Sequence, residues 1–223
     1  MTWLNSLSAL FSEKVVYRSS SKFNPVLEVI SRGNHLQLDT LHVNYSFGEL
    51  HKSFQQLFTK MDMGKARPEN VLILGFGAGS VASILLHEYK LNCTITGVEI
   101  DPEMITLGRR FFAMDALAGL TIIEENAFLY MKTNRDKFDL VIVDLYLDMD
   151  VPVQAETQEF ALRLKDALTA DGQLVFNKFV YDDATGEGAV LLGDMLKEVF
   201  GQVKLYQTGH HQMTRMFVCK SEK

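Results

Sequence analysis

The sequence predicts an α/β domain built on a doubly wound, mostly parallel sheet that ends in an antiparallel pair of strands. Apolar, strand-like runs alternate with segments of helical periodicity from residue 71 onward, which is typical of a parallel sheet covered by helices. One of these runs, residues 71–74, ends in glycines at every second position. The last two runs, residues 203–206 and 216–219, are joined by a segment too short for a parallel crossover, so we expect them to pair antiparallel.

The N-terminal part of the chain is expected to form a small appendage of one short helix and one β-hairpin. Apolar side chains recur at helical spacing between residues 3 and 11. Two short strand-like runs follow within residues 26–41, on either side of a turn at Gly33. We therefore place the appendage over residues 1–46 and the main α/β domain over residues 47–223.

Helices and strands alternate through the main domain. Apolar residues at helical spacing from Leu50 predict an amphipathic helix, and Pro68 stops anything helical before the glycine-ended strand. Asp101 followed by Pro102 predicts a helix N-cap with proline at the first helical position. The almost wholly apolar run Phe138–Val143 predicts a central strand that is buried on both faces. The other predicted strands cover residues 93–99, 120–123 and 173–176, and the other predicted helices cover residues 81–90, 102–111, 127–132, 157–168 and 190–199.

Composition and charge narrow the class of protein. The chain has 223 residues, of which 47% are hydrophobic and 22% charged, and this suits one folded domain with a substantial core. A formal net charge of −6 without a basic cluster argues against a nucleic-acid partner. No apolar run approaches the roughly 20 residues that a membrane helix needs, and no leader is evident. With two cysteines that form no C-x-x-C pair, we expect a cytoplasmic protein that has no membrane partner.

The candidate site is expected where the parallel strands end, since ligands of such sheets bind outside the carboxyl ends of the strands. Four features collect there by strand order: the glycine loop (residues 75–80), Glu99, Asn126 and Asp144. A glycine turn lets the backbone approach a ligand closely, and the helix start behind it offers unpaired N–H groups. We interpret this combination as a nucleoside site. The alternative is a structural turn that happens to be rich in glycine.

Each of the three polar side chains has a functional and a structural interpretation. Glu99 can accept hydrogen bonds from both hydroxyls of a ribose, or it is a solvated charge at a strand end. Asn126 can pair with the donor and acceptor edge of adenine, or it caps the helix that follows. Asp144 can hold a substrate ammonium or accept its proton, or it is a turn residue.

The loop at residues 145–152 combines aromatic, aliphatic and acidic side chains near the same crevice. Loops that carry such groups are often functional, so Tyr146 and Asp148 are candidates for contact with a substrate. Solvated turn residues are the favoured interpretation of Asp148 and Asp150.

The sequence lacks the motifs of three other kinds of functional site. The adjacent His210 and His211 have no third ligand nearby in the sequence, so we expect no metal site. The glycine loop has neither the spacing nor the lysine of a phosphate-binding P-loop. The chain also has no G-x-S-x-G elbow, the motif that presents the nucleophile of many serine hydrolases.

Five segments of the chain carry a family resemblance. They are Leu-Gln-Leu-Asp at residues 36–39, the glycine strand and loop at 71–80, Val-Glu-Ile-Asp at 98–101, the apolar strand with its aspartate at 138–144, and Arg-Met-Phe-Val-Cys-Lys-Ser at 215–221. Together they resemble the spermidine and spermine synthase family of aminopropyltransferases. That family is a branch of the class I S-adenosylmethionine-dependent methyltransferase fold, which is Rossmann-like, and the middle segments are shared by methyltransferases generally.

The resemblance implies a co-substrate, an acceptor and a set of residues that hold them. The co-substrate would be S-adenosylmethionine or its decarboxylated form, the acceptor a small amine, and the assembly a possible homodimer. Asp144 would be the catalytic residue that positions and deprotonates the amine, with Tyr146 and Asp148 in the substrate loop. The cofactor-binding residues would be Gly75, Phe76, Gly77, Gly79, Glu99, Ile100, Asn126 and Ala127.

Several positions depart from the family pattern. Ala78 stands where family members have an aspartate that grips the amino group of decarboxylated S-adenosylmethionine. Asn126 stands where they have an aspartate that faces the adenine amino group. Phe54 and Gln55 best match a tyrosine–glutamine pair, so the phenol is missing, and the loop after Asp144 departs from the family's D-S-S-D-P type.

Three hypotheses therefore remain open from the sequence. In the first, the chain transfers an aminopropyl group to an amine. In the second, it is a methyltransferase that uses intact S-adenosylmethionine, which the alanine at position 78 favours. In the third, it binds a nucleoside of this type without catalysis, which the altered loop after Asp144 suggests.

Overall fold

The computed structural model describes residues 13–41, 44–147, 149–209 and 213–221. A small four-stranded antiparallel sheet comes first in the chain, in the order β1-β2-β3-β4. Its strands are β1 (Glu13–Ser19), β2 (Leu27–Arg32), β3 (His35–Asp39) and β4 (Asn44–Ser46).

A larger α/β unit follows. Its strands are β5 (Asn70–Leu74), β6 (Thr94–Glu99), β7 (Leu120–Glu124), β8 (Phe138–Val143), β9 (Leu168–Phe179), β10 (Gly201–Thr208) and β11 (Thr214–Ser221). Its helices are α1 (Glu49–Lys60), α2 (Met63–Ala66), α3 (Ser80–Ser83), α4 (Pro102–Phe111), α5 (Ala127–Thr133), α6 (Gln158–Asp166) and α7 (Asp183–Phe200). A π-helical turn, Ile84–Glu88, continues α3, and two short 3₁₀ turns cover Met114–Ala116 and Val153–Glu156.

The large sheet has seven strands in the order β10-β11-β9-β8-β5-β6-β7. The pairs that strands β5 to β9 form with one another are all parallel, whereas β11 pairs antiparallel with both β9 and β10. The predicted fold, a mostly parallel sheet that ends in an antiparallel pair with a small N-terminal β unit, is therefore confirmed.

Apolar clusters cover both faces of the large sheet. Alternate residues of β8 belong to opposite clusters, because Val141 and Val143 pack with the helices α5, α6 and α7 while Leu140 and Ile142 pack with α1 and α3. Burial on both faces is the reason that this strand reads as a continuous hydrophobic run. A third, smaller cluster joins the small sheet to α4 and includes Leu27.

The hairpin predicted around Gly33 is present as β2 and β3, which pair antiparallel. Two further strands, β1 and β4, were not predicted. Strand β1 is largely exposed, so its sequence lacks the alternation that marks a half-buried strand. The helix predicted over residues 3–11 lies outside the described residues.

Two predicted boundaries in the second half of the chain are wrong. The strand predicted over residues 173–176 was expected to follow a helix that reached residue 168, but α6 ends at Asp166 and β9 already begins at Leu168, and the pairing of β8 with β9 shifts register between Phe138 and Leu140. Helix α7 also begins before the predicted residue 190, because Asp182 and Thr185 form a capping box at its start.

Candidate functional site

A cavity of about 650 Å³ lies at the carboxyl ends of the parallel strands. The glycine loop, Glu99, Asn126 and Asp144 all line it, as strand order predicted. The volume is in the range of pockets that enclose a small molecule. The convergence of these four features is therefore present in the structure.

Gly75 allows the glycine loop to pass close to the end of β8. Its φ is +82°, in the left-handed region that favours glycine. A Cβ atom there would overlap the backbone carbonyl oxygen of Asp144 and lie 2.7 Å from the carbonyl carbon. The loop and the residue after β8 therefore meet backbone to backbone, which only glycine permits.

Phe76 borders the cavity, but its ring is directed into the core. The side chain is 4% exposed, and a Cβ at Gly97 in β6 would overlap that ring. The residue was expected to bind the cofactor. In the structure, the ring packs against β6 at Gly97 and supports the glycine loop.

Ala78 lies on the other side of the loop, against the small sheet. It is fully buried in the cluster that contains Leu27 and Leu107, and its N–H donates to Ser46 Oγ at 3.2 Å. It is not among the described residues that line the cavity. The backbone therefore turns this position away from the ligand space and toward an apolar cluster.

Glu99 ends β6 at the wall of the cavity and is 8% exposed. Its carboxylate accepts hydrogen bonds from the backbone N–H of Gly77 at 2.7 Å and of Asp101 at 2.9 Å. Burial raises the pKa of Glu99, and these backbone donors partly oppose the rise. The carboxylate is thus held in one place beside the glycine loop, where it can accept further hydrogen bonds from a ligand hydroxyl.

Asp101 is the helix N-cap that the sequence predicted. Its Oδ1 accepts from Glu103 N–H at 3.0 Å, and its Oδ2 accepts from Asn24 Nδ2 at 2.8 Å and from the Ser21 hydroxyl. This buried carboxylate ties the segment between β1 and β2 to the large sheet. The adjacent Phe23 and Asn24 consequently line the cavity, although no sequence pattern marked them as site residues.

Asn126 caps α5. Its Oδ1 accepts from the backbone N–H groups of Phe128 at 2.8 Å and Leu129 at 3.3 Å. The interpretation of Asn126 as a helix cap is therefore present in the structure, and its pairing with adenine stays a prediction. The amide N–H groups are what Asn126 can offer to a ligand. Its neighbour Ala127 and Ile100 after β6 also line the cavity, as expected.

Asp144 follows β8 and is partly buried, with its exposed part facing the cavity. Desolvation raises the pKa of Asp144 to about 7; the negative charge of Glu99 adds to the rise, and a hydrogen bond from Asn177 opposes it. A carboxyl with this pKa exchanges its proton near neutral pH, which suits a general base.

Asn177 in β9 is a site residue that the sequence prediction missed. Its Nδ2 donates to Asp144 Oδ1 at 2.8 Å, and the residue is 1% exposed. Its own Oδ1 is buried without a hydrogen-bond partner. The available signal was an amide directly after the apolar run of residues 174–176, since a buried polar side chain in a core strand requires a role.

The loop after β8 is only partly a site element. Tyr146 lines the cavity as expected, whereas Asp148 lies outside the described residues. Leu147 and Asp150 exchange backbone hydrogen bonds of 2.9 and 3.2 Å, which close a tight turn. The Asp150 carboxylate accepts from Tyr181 Oη at 2.7 Å and is not among the described residues that line the cavity.

Helix α1 contributes a wall that the sequence did not reveal. Glu49, Leu50 and Ser53 line the cavity. Phe54, by contrast, is fully buried in the core, and Gln55 donates to Glu88 Oε2 at 2.7 Å on the surface. The pair matched to the family's tyrosine and glutamine therefore does not reach the cavity.

The charged side chains among the described residues around the cavity are all acidic. Among the described residues that line it there are five carboxylates and no lysine, arginine or histidine. The carboxylates are Glu49, Glu99, Asp101, Glu125 and Asp144. Such a cavity favours cationic ligands and disfavours anions.

The described part of the chain offers neither a metal site nor a membrane-spanning helix. Within residues 13–41, 44–147, 149–209 and 213–221, no group of three or more His, Cys, Asp or Glu residues could hold a metal ion. Over those same ranges, no helix has the length and apolar character needed to cross a membrane.

The Spermine/spermidine synthase domain model matches residues 52–185, which is more than half of the chain. The chain belongs to the spermine/spermidine synthase family. The matched region contains the glycine loop, Glu99, Asn126, Asp144 and Asn177, so the cavity described above is built largely from the family domain.

Curated members of this family match the chain over part of their length. A probable polyamine aminopropyl transferase of Bifidobacterium longum is 33% identical over 133 residues, which are 59% of this chain and 29% of that protein. A polyamine aminopropyltransferase of Vibrio vulnificus is 31% identical over 116 residues, 51% of this chain and 38% of that protein. The match thus spans well under half of either relative.

Solved structures support the fold. Spermidine synthase from Thermotoga maritima matches with a TM-score of 0.73 at 18% identity, and the match covers 94% of this chain and 73% of the Thermotoga chain. Human methyltransferase-like protein 13, solved with SAH, matches with a TM-score of 0.63 at 21% identity, and the match covers 79% of this chain and 83% of the human chain. The spermine/spermidine synthase family and methyltransferases share this architecture, so the likeness alone does not fix the reaction.

Proposed function

We propose that this chain transfers an aminopropyl group from decarboxylated S-adenosylmethionine to an amine. The observation that carries the proposal is the charge of the cavity, where the described lining residues supply five carboxylates and no basic side chain. Decarboxylated S-adenosylmethionine is a dication, with a sulfonium and an ammonium. Intact S-adenosylmethionine adds a carboxylate, which would lie in an acidic cavity without a cationic partner among those residues.

The nucleoside part of the co-substrate fits the residues at the carboxyl ends of the parallel strands. Glu99 lines the cavity at the end of β6 and would accept hydrogen bonds from the ribose hydroxyls, as a carboxylate at this strand end does in related sheets. Asn126 offers N–H donors to the ring nitrogens of adenine, since its oxygen is engaged in the helix cap. Gly75 and Gly77 line the cavity with φ values of +82° and +58°, so the nucleoside would lie against bare backbone at this turn.

Asp144 is the proposed base. The acceptor must present a neutral nitrogen, so an ammonium that enters the cavity gives one proton to the Asp144 carboxylate. The nitrogen then attacks the methylene carbon bonded to the sulfonium. A C–N bond forms, the C–S bond breaks with its electron pair going to sulfur, and neutral methylthioadenosine leaves. Catalysis is therefore mainly alignment and electrostatics, with Asn177 holding the carboxylate in position.

Methyl transfer from intact S-adenosylmethionine is the second candidate. It is favoured by Ala78, which supplies no carboxylate for the aminopropyl ammonium and is packed in an apolar cluster. A binding protein without turnover is the third. The homodimer and the cytoplasmic location expected from the sequence stay predictions.

Product analysis separates these candidates. The protein is incubated with a panel of primary amines and either form of the co-substrate, and the amines are then examined by mass spectrometry. The proposal expects an amine that has gained one aminopropyl unit, together with methylthioadenosine. Methylated amine formed only from S-adenosylmethionine would replace the proposal by the second candidate. Bound nucleoside with no modified amine would favour the third.

A further inference from the structure

We propose that Ser80, held by a hydrogen-bond relay through His51 to Glu88, accepts the ammonium group of the aminopropyl chain of decarboxylated S-adenosylmethionine. This inference rests on the proposed function and assigns one end of its co-substrate to a side chain of the glycine loop.

The glycine loop, residues 75–80, contains no acidic side chain, so an ammonium beside it needs another acceptor. Ala78 is fully buried in an apolar cluster against the small sheet. Glu99, the carboxylate beside the loop, already accepts from two backbone N–H groups and is assigned to the ribose. Ser80 is the one polar side chain of the loop, and it lines the cavity. Its hydroxyl is therefore the side-chain group that the loop itself offers to a ligand.

His51 of α1 connects Ser80 to a carboxylate. Its Nδ1 lies 2.7 Å from Ser80 Oγ, and its Nε2 lies 2.7 Å from Glu88 Oε1. The other carboxylate oxygen of Glu88 accepts from Gln55 Nε2 at 2.7 Å, so this carboxylate is held from two sides. Glu88 ends the π-helical turn that continues α3, and such turns are frequent at functional sites.

The relay sets the direction of the Ser80 hydroxyl. A carboxylate only accepts hydrogen bonds, so the hydrogen between Glu88 and His51 belongs to Nε2. In the neutral imidazole the other nitrogen is then an acceptor, and Ser80 donates its hydroxyl hydrogen to Nδ1. The Ser80 oxygen keeps its lone pairs, one of which accepts from Phe47 N–H at 3.4 Å. Ser80 therefore meets a ligand as an acceptor.

An acceptor at this position suits an ammonium and opposes a carboxylate. A hydrogen bond from an ammonium is stronger than one between neutral groups, and the negative charge of Glu88 polarises the imidazole and the hydroxyl in the same sense. The carboxylate of intact S-adenosylmethionine would instead face oxygen lone pairs, because the hydroxyl hydrogen of Ser80 is committed to His51. The relay thus favours the decarboxylated compound without an acidic residue in the loop.

The test compares decarboxylated S-adenosylmethionine with methylthioadenosine, which has the same nucleoside but no ammonium. Both are titrated calorimetrically into the wild type and into Ser80→Ala. We expect Ser80→Ala to weaken binding of the decarboxylated compound by about tenfold or more and of methylthioadenosine by less than about twofold. Ser83→Ala changes a serine of the same helix that is not among the described lining residues, and it should leave both affinities unchanged.

Two results with Ser80→Ala would overturn the inference. Equal losses for the two ligands would mean that Ser80 only supports the glycine loop. No loss for either ligand would mean that the hydroxyl does not meet the co-substrate.

Variants of His51 test the relay apart from Ser80. His51→Phe removes the acceptor of the Ser80 hydrogen but keeps an aromatic ring beside Phe47, whose ring centroid lies 5.5 Å from that of His51. His51→Asn keeps an acceptor near the position of Nδ1. We expect His51→Phe to lower the affinity for the decarboxylated compound relative to methylthioadenosine by about threefold or more, and His51→Asn to retain most of that ratio. The same ratio in both variants would contradict the relay.

Glu49 is the competing acceptor for the ammonium, because it also lines the cavity. Its carboxylate pairs with Lys52 Nζ at 2.7 Å, and both side chains are more than half exposed, so solvent screens its charge. We expect Glu49→Gln to lower the same ratio less than Ser80→Ala does. A larger loss in Glu49→Gln would assign the ammonium to Glu49 and overturn the inference.

These outcomes are separable from failure of the proposed function. Aminopropyl transfer is measured independently, as modified amine formed by the wild type, and it does not depend on which side chain accepts the ammonium. If decarboxylated S-adenosylmethionine does not bind to the wild type, the proposed function fails and the inference fails with it.

Discussion

Replacing Asp144 with asparagine should stabilise the fold at alkaline pH while it abolishes turnover. Burial raises the pKa of Asp144 from 3.8 to about 7. The folded protein therefore keeps a proton on this carboxyl at pH values where the unfolded chain has released it. The stability that this proton confers is complete below pH 3.8 and is lost as the pH rises to about 7.

The size of the effect follows from the two pKa values. Between pH 5 and pH 7 the unfolded carboxyl is ionised and the folded one is not, and each pH unit lowers the free energy of unfolding by about 1.36 kcal/mol. The wild type thus loses at most about 2.7 kcal/mol over this interval, and water in the cavity reduces the figure. An asparagine does not ionise, and its oxygen can still accept the hydrogen bond from Asn177.

Urea unfolding at pH 5 and pH 8.5 measures this difference. Asp144→Asn should exceed the wild type in stability by about 1–3 kcal/mol more at pH 8.5 than at pH 5. Asp194→Asn, at an exposed position of α7, is the control and should show no such pH dependence. The same advantage for Asp144→Asn at both pH values would mean that the pKa of Asp144 is not raised, and the reasoning about its burial would be wrong.

Three further substitutions test other parts of the site. Gly75→Ala should destabilise the protein by about 3 kcal/mol or more in urea unfolding, because its Cβ would overlap the Asp144 backbone. Gly64→Ala is the control and should not destabilise the protein, because a Cβ there has open space. Equal effects of the two substitutions would refute the close approach of Gly75 to Asp144. Glu99→Gln should weaken binding of methylthioadenosine by roughly 1–3 kcal/mol in calorimetry, and unchanged affinity would exclude Glu99 as the ribose ligand. Asn177→Leu removes a hydrogen bond that lowers the pKa of Asp144, so the acid limb of the pH–rate profile should move to higher pH. An unmoved limb would mean that Asn177 does not influence the pKa of Asp144.

Sequence patterns correctly predicted features that depend on strand burial, strand order and connection length. Phe138–Val143 was predicted with the bounds that the structure shows, because burial on both faces makes it uniformly apolar. Glu99 and Asp144 follow parallel strands, so their meeting beside the glycine loop follows from topology alone. The antiparallel finish followed from the short connection before β11.

Features that depend on tertiary packing could not be predicted. Periodicity identified the buried face of α1 but not that Ser53, a buried residue of this helix, and Glu49 line the cavity. The role of Asn177 depends on the pairing of β9 with β8, which places its amide beside Asp144. Ala78 could be compared with the family pattern, yet its direction toward the small sheet depends on β4, a strand of three residues that local sequence does not mark.

The central claim is that the cavity is built for a cationic co-substrate without a carboxylate. Calorimetric titration of one protein preparation with decarboxylated S-adenosylmethionine and with S-adenosylmethionine tests it most directly. The charge of the described lining predicts that the decarboxylated compound binds at least about tenfold more tightly, a difference of about 1.4 kcal/mol. Equal affinity, or tighter binding of S-adenosylmethionine, would contradict the account and favour methyl transfer.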